Sequence, residues 1–201
     1  MAARGFDMFT RKGIRKPGLC RHGGKLPLMK SIARLALISI IYISLSALSL
    51  AENPTEYRLK AAFLYNFALF TEWPEQVGNT LNLCIYGLDP FGEDLIMLDH
   101  RQVGHRWIIT HRVSTLPELP DCQVVFISRS AISQLPHVLS AVQGSPVLTV
   151  ADSPGAMRQG VALNMVRQHN RIAFEANLSA ARAQGLSLSS RLLRLATEVE
   201  K

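Results

Sequence analysis

LNLCIYGLDPFGEDLIML, residues 81–98, carries the pattern on which the fold reading turns. Leu81–Gly87 is a short apolar run bounded by turn residues, the signature of a strand buried on both faces. Gly87 opens a turn, and Asp89 can cap a helix that Pro90 starts and that runs to Leu98. Strand, glycine turn and helix therefore follow within eighteen residues. A stretch such as GLDPFG also invites a phosphate-loop reading, because helix N-termini attract anions. It has neither a GK[ST] ending nor GxGxxG spacing, so a structural turn is favoured.

Downstream the alternation continues. His105–Val113 reads as a strand with Trp107, Ile109 and Val113 on one face, and Gln123–Ser128 as a continuous apolar strand. Ile132–Val142 reads as a helix, Pro146–Val150 as a strand, and Asp152-Ser153-Pro154-Gly155 as a loop. Gly160–Arg167 and Arg171–Ala176 flank Gln168-His169-Asn170 at hairpin spacing. Asn177 then caps a short helix that stops at Gly185, and a final helix carries Leu188, Leu192 and Leu195 on one stripe. Strands alternating with helices and closed by a hairpin predict a single α/β domain. Its central sheet is mostly parallel and ends in an antiparallel hairpin, with helices on both faces.

Upstream lies a helix predicted to start at Asn53-Pro54-Thr55-Glu56, where Asn53 can cap and Glu56 can reach back to the cap backbone. It continues through YRLKAAFLYNFALFTEW and stops at Trp73, because Pro74 disfavours helical geometry in the residue before it. Between Ala61 and Phe70 only Asn66 is polar, more apolar surface than one sheet face requires. Phe63, Phe67 and Phe70, with Trp73 beyond them, line one stripe, and Tyr57, Ala61, Leu64 and Ala68 line another. Burial within the domain accounts for at least one stripe; the other is assigned to a partner protomer or protein.

The first fifty-one residues differ in kind. The formal charge of +7 over 201 residues comes entirely from them: nine Lys/Arg stand against Asp7, while residues 52–201 hold thirteen basic and fourteen acidic side chains. A near-neutral body has no polyanion footprint, which argues against nucleic acid as partner. Within the leader a basic stretch to Arg34 precedes the uncharged run LALISIIYISLSALSL (35–50), and polarity returns at Ala51 and Glu52. These are the parts of a secretory signal peptide, with cleavage expected after Ala51 and Met29 as an alternative start. A permanent anchor is the less favoured reading, because the run falls short of the roughly 20 residues that cross a bilayer. The expected boundaries are thus a leader over 1–51 and one domain over 52–201.

Export gives the cysteines meaning. Cys84 and Cys122 are the two in the body, and an even count in an oxidising compartment reads as one disulfide, with two separate buried thiols as the alternative. Neither CxxC spacing nor a Cys/His cluster is present, and His100, His105, His111, His137 and His169 form no HxH or HxxxH pair. No metal or cofactor is expected on this pattern, and no catalytic residue is assigned. The sequence contains no GxSxG, HExxH or P-loop, which shifts the balance from enzyme to binding protein; a hydrolase with a spatially assembled site is the weakest alternative. Glu175, at a strand end beside a helix cap and alternating with Phe174, is a candidate for a polar pocket that takes a small zwitterion or anion. Arg171 and Arg191 are its candidate counter-charges and Ser189 a further candidate contact. A surface ion pair is the competing reading.

Four segments together, YRLKAAFLYNFALFTEWP (57–74), GLDPFG (87–92), GVALNMV (160–166) and IAFEANLSAARAQGLSLSSRLLRLA (172–196), resemble the YfiR family of periplasmic proteins. The resemblance spans nearly all of 54–196. It implies an α/β domain, often dimeric, that binds the periplasmic sensor region of a YfiN-type inner-membrane diguanylate cyclase. Repression of that cyclase would lower cyclic di-GMP, exopolysaccharide and biofilm. Control through disulfides is also implied, and Cys84 and Cys122 match it. A further cysteine pair that some members carry after the fourth strand is missing here. The alternative function is a periplasmic module that senses a small ligand near Glu175 and Arg191.

Overall fold

The computed structural model describes residues 54–201 apart from Asn170. The leader, its cleavage point and the Asn53 cap lie outside the described residues. Helix α1 spans Pro54–Leu69 and is followed by a short strand, β1 (Thr71–Glu72). Strand β2 (Thr80–Tyr86) then leads through Gly87 to the four-residue helix α2 (Glu93–Ile96), β3 (Gln102–Val103) and β4 (Arg106–Val113). After a 3₁₀ segment come β5 (Val124–Ile127), a 3₁₀ turn continuing into α3 (Leu135–Ala141), and β6 (Leu148–Ala151). The chain closes with β7 (Leu163–Gln168), β8 (Arg171–Asn177), α4 (Leu178–Ala183), β9 (Ser187–Leu188), α5 (Ser190–Leu193) and β10 (Glu198–Glu200).

Eight strands form one sheet in the order β10-β8-β7-β6-β5-β2-β4-β3. The pairs from β7 through β6, β5 and β2 to β4 are parallel; β7–β8 and β3–β4 are antiparallel. Strands inside a parallel sheet are covered on both faces, and the burial alternation shows it. Leu81, Leu83 and Ile85 of β2 and Val124 and Phe126 of β5 enter one core with α1. Cys84, Tyr86, Val125 and Ile127 enter a second core with α3 on the opposite face. The mostly parallel α/β sheet with helices on both faces is therefore as the alternation of elements predicts.

Cys84 and Cys122 are bridged inside the second core, their Cα atoms 6.0 Å apart across a separation of 38 residues. Gly87 is required at the end of β2. Its φ is 96°, and a Cβ there would lie 2.6 Å from Ser128 Oγ and 2.9 Å from Ala131 Cβ. Asp89 occupies the amide donors of the following turn: its Oδ1 accepts from Phe91 N (2.7 Å) and Gly92 N (3.3 Å). Its Oδ2 pairs with Arg112 at 2.6 Å, so GLDPFG is a closed structural turn.

Several element boundaries depart from the expectation, three of them by the most consequential margin. α1 ends at Leu69 and not Trp73, because Thr71 leaves the helix to pair with Leu188 while its hydroxyl donates to Phe67 O at 2.7 Å. α2 covers only Glu93–Ile96 of the helix expected to reach Leu98. The expected C-terminal helix is reduced to Ser190–Leu193: Leu188 belongs to β9, Leu195 is exposed, and the polar Glu198–Glu200 adds a parallel edge strand to β8.

Candidate functional site

β5 and β6 are parallel neighbours, and the chain leaves their carboxyl ends as Ser128-Arg129 and Asp152-Ser153. Crevices outside the carboxyl ends of such strands are where open α/β sheets hold ligands. Here the first turns of α1 close over that end. Lys60, only 2% exposed, donates to Asp152 Oδ2 at 2.6 Å and pairs with Glu56 Oε1 at 2.6 Å, one helical turn back. Its Nζ also lies 4.4 Å from the centre of the Tyr57 ring. Arg129 Nε reaches Asp152 twice, at 3.2 Å to the backbone oxygen and 3.4 Å to Oδ2. Arg167, from the hairpin strand β7, stands 3.6 Å from Glu56 Oε2.

A cavity of about 440 Å³ lies beside this network. Its walls are Glu56 and Lys60 of α1, Arg129, the Asp152–Arg158 loop and the hairpin residues Met165–Gln168, Ile172 and Glu175. The hydrogen bond from Lys60 holds the Glu56 carboxyl below its ordinary value; burial opposes that shift, and Lys60 and Arg167 add to it through their charge. Burial raises the Tyr57 hydroxyl, and the Asp152 charge adds to the shift. Among the described residues, the buried side-chain atoms Asp152 Oδ1, Ser153 Oγ and Asn164 Oδ1 have no hydrogen-bond partner. Each such atom costs about 1–3 kcal/mol of desolvation if nothing binds it.

The residues singled out from sequence are dispersed. Glu175 lines the cavity and accepts from Asn164 Nδ2 at 3.0 Å. Arg171, Ser189 and Arg191 are not among its lining residues. Arg171 opens β8 at the hairpin, paired with Gln168. Ser189 caps α5 by accepting from Leu192 N at 3.2 Å, and Arg191 stacks over the Phe70 ring at 5.8 Å. Ser189 N also donates to Phe70 O at 3.0 Å, so these residues gather at the other end of α1. The ion pairs of Glu175 with Arg171 or Arg191 are not formed; a strand and a helix start carry those groups apart.

The aromatic stripe is likewise divided. Phe67 is not on a partner surface: it is 0% exposed and packs edge-on against Phe174 at 5.1 Å. The helix turns the Ala61, Leu64, Phe67 and Ala68 side inward, which leaves Phe63, Phe70 and Trp73 half-buried at the flank. Trp73 Nε1 is satisfied by Ala68 O at 3.0 Å. The outward line of α1 is instead Leu59 (46% exposed), Ala62, Asn66 and Leu69 (39%).

Sequence reading assigns none of Lys60, Asp152, Glu56 and Arg129 to the site; it makes Glu56 a capping residue and Asp152 the start of a loop. Two signals were present: a lysine at the edge of the apolar run Ala61–Phe70, and an aspartate directly after the apolar strand that ends at Ala151. A charge in either place needs a partner, but only the fold shows that each is the partner of the other.

A family model described as YfiR/HmsC-like matches residues 57–197 of the chain. No curated protein matches it. Among solved structures, a conserved domain protein from Vibrio cholerae O1 biovar El Tor is similar with a TM-score of 0.47 and 7% identity, over 72% of this chain and 60% of that one. The ABC domain in complex with L-Trp from Streptococcus pneumonia is similar with a TM-score of 0.45 and 11% identity, over 60% of this chain and 55% of that one. This chain thus spans less than two thirds of the length of either.

Proposed function

From its membership of the YfiR/HmsC-like family, to which this chain belongs, we propose that it is an exported repressor of an inner-membrane diguanylate cyclase. The family is regulatory and non-catalytic, periplasmic, and tied to cyclic di-GMP signalling. In the proposal the mature protein, released from its leader after Ala51, binds the cyclase's periplasmic sensor region. It holds the inactive state by its difference in affinity between the two states, lowering cyclic di-GMP, exopolysaccharide and biofilm output.

The observation that carries the reading is the family match over 57–197, which takes in α1 whole but for its first three residues. The outward line of Leu59, Ala62 and Leu69, flanked by Phe63, Phe70 and Trp73, supports α1 as the surface offered to the cyclase or to a second copy of the chain. In this reading the Cys84–Cys122 bridge decides whether the fold survives in its compartment. Co-purification with the periplasmic domain of a candidate cyclase, with and without reductant, tests it. Capture that weakens in reductant is the expected outcome; failure of an oxidised, folded protein to bind any cyclase domain encoded beside it overturns the reading.

A second reading, a periplasmic module that senses a small ligand, is favoured by the cavity and by its lining residue Asp152, whose buried Oδ1 has no hydrogen-bond partner. The two are compatible, because a ligand that prefers one state of the repressor shifts the cyclase equilibrium through it.

A further inference from the structure

We infer that the cavity at the carboxyl ends of β5 and β6 is a binding site for a small hydroxylated carboxylate, a molecule with one negative charge beside several hydroxyl groups. The charge comes first. Four cationic side chains and three carboxylates line the cavity, leaving one net positive charge. Lys60 is engaged by Glu56 and Asp152, and Arg129 by Asp152. Arg158 has no ion pair among the described residues and lies exposed on the wall, a guanidinium positioned for a carboxylate.

The hydroxyl groups follow from Asp152. This aspartate is 3% exposed and lines the cavity, and its Oδ1 accepts nothing. An ionised carboxylate only accepts hydrogen bonds, so a second carboxylate cannot satisfy it and a hydroxyl can. The ammonium of an amino acid would also donate, but a net-neutral ligand leaves the extra positive charge of the lining unmatched. Met165 and Ile172 give the carbon chain an apolar wall. The volume of about 440 Å³ falls among small-molecule sites, which run from about 300 to 1,000 Å³. The rim side chains Arg129 and Arg167 are 60% and 55% exposed, so the site opens to solvent.

Calorimetric titration and thermal denaturation of the purified protein with glycerate, D-gluconate and D-glucuronate provide the test. D-glucose, hexanoate and alanine serve as probes that lack the charge, the hydroxyl groups or the net charge. At least one hydroxylated carboxylate should bind and raise the melting temperature, while the other three at equal concentration do not. Arg158→Glu should leave the melting temperature of the unliganded protein unchanged and weaken binding by about tenfold or more. Arg182→Glu, a charge reversal on the exposed face of α4, should bind as the wild type does. Silence across all three carboxylates, an equal response to hexanoate or alanine, or binding that survives Arg158→Glu overturns the assignment. The experiment needs no cyclase, so its failure leaves the repressor reading standing, and failure of co-purification leaves this one.

Discussion

Lys60 and Asp152, ninety-two residues apart, meet at 2.6 Å with both side chains almost wholly excluded from water. The contact ties the N-terminal helix to the end of β6 and forms one wall of the cavity. It is a buried ion pair, and removal of either partner leaves the other charge buried with only a partly exposed group to offset it, Glu56 for Lys60 or Arg129 for Asp152.

Asp152→Ala should therefore destabilise the protein by about 3–5 kcal/mol in urea unfolding. Glu56, 21% exposed, is the lesser partner of Lys60, and Glu56→Ala should cost about 1 kcal/mol. The paired change Lys60→Met with Asp152→Leu should recover most of the Asp152→Ala loss. Equal losses for Asp152→Ala and Glu56→Ala would show that Lys60 is held mainly from its own helix.

The acid limb of stability should carry the signature of Glu56. Its folded-state value lies below the ordinary 4.5, so its contribution is complete above that pH and is lost as pH falls through the depressed value. Glu56→Gln should flatten the decline in stability below about pH 4.5, measured as urea midpoints against pH. An unchanged slope would remove Glu56 from the acid limb.

Phe67→Ala should cost about 3–5 kcal/mol, because it opens a cavity against Phe174 in a closed core. Leu69→Asp, on the outward line of the same helix, should change stability by only about 0.5 kcal/mol and instead weaken capture of the cyclase domain. A folded Leu69→Asp protein with undiminished capture would clear that face of the role.

Cys84→Ser should lower stability by about 4 kcal/mol under oxidising conditions, the chain-entropy value for a loop of this length. In reductant the wild type should fall to the level of the variant. If Cys84→Ser lowers stability by as much in reductant as in oxidant, the loss belongs to packing in the second core and not to the bridge.

Some of this protein was legible residue by residue. LNLCIYG and QVVFIS read as strands because a parallel strand covered on both faces has to be apolar throughout; β5 lies within the second run, and β2 coincides with the first apart from starting one residue earlier, at Thr80. The β7–β8 hairpin was visible from spacing, and His169 in its turn has φ 46°, the left-handed geometry that tight hairpin loops require. The polar Glu198–Glu200 carries no strand pattern at all; it pairs because β8 offers an unfilled edge.

The amino-acid order by itself determined the central strands β2, β5 and β6 and the turn of the β7–β8 hairpin, since each depends on neighbours within a few residues: burial period, turn residues, positive φ. Only the tertiary structure decided which side of α1 faces the sheet, where that helix stops, and that Lys60 finds Asp152 and not Glu175. Those outcomes depend on groups far apart in the chain, brought together by the energy of burying both faces of the sheet, and no local periodicity encodes which distant partner a buried charge will meet.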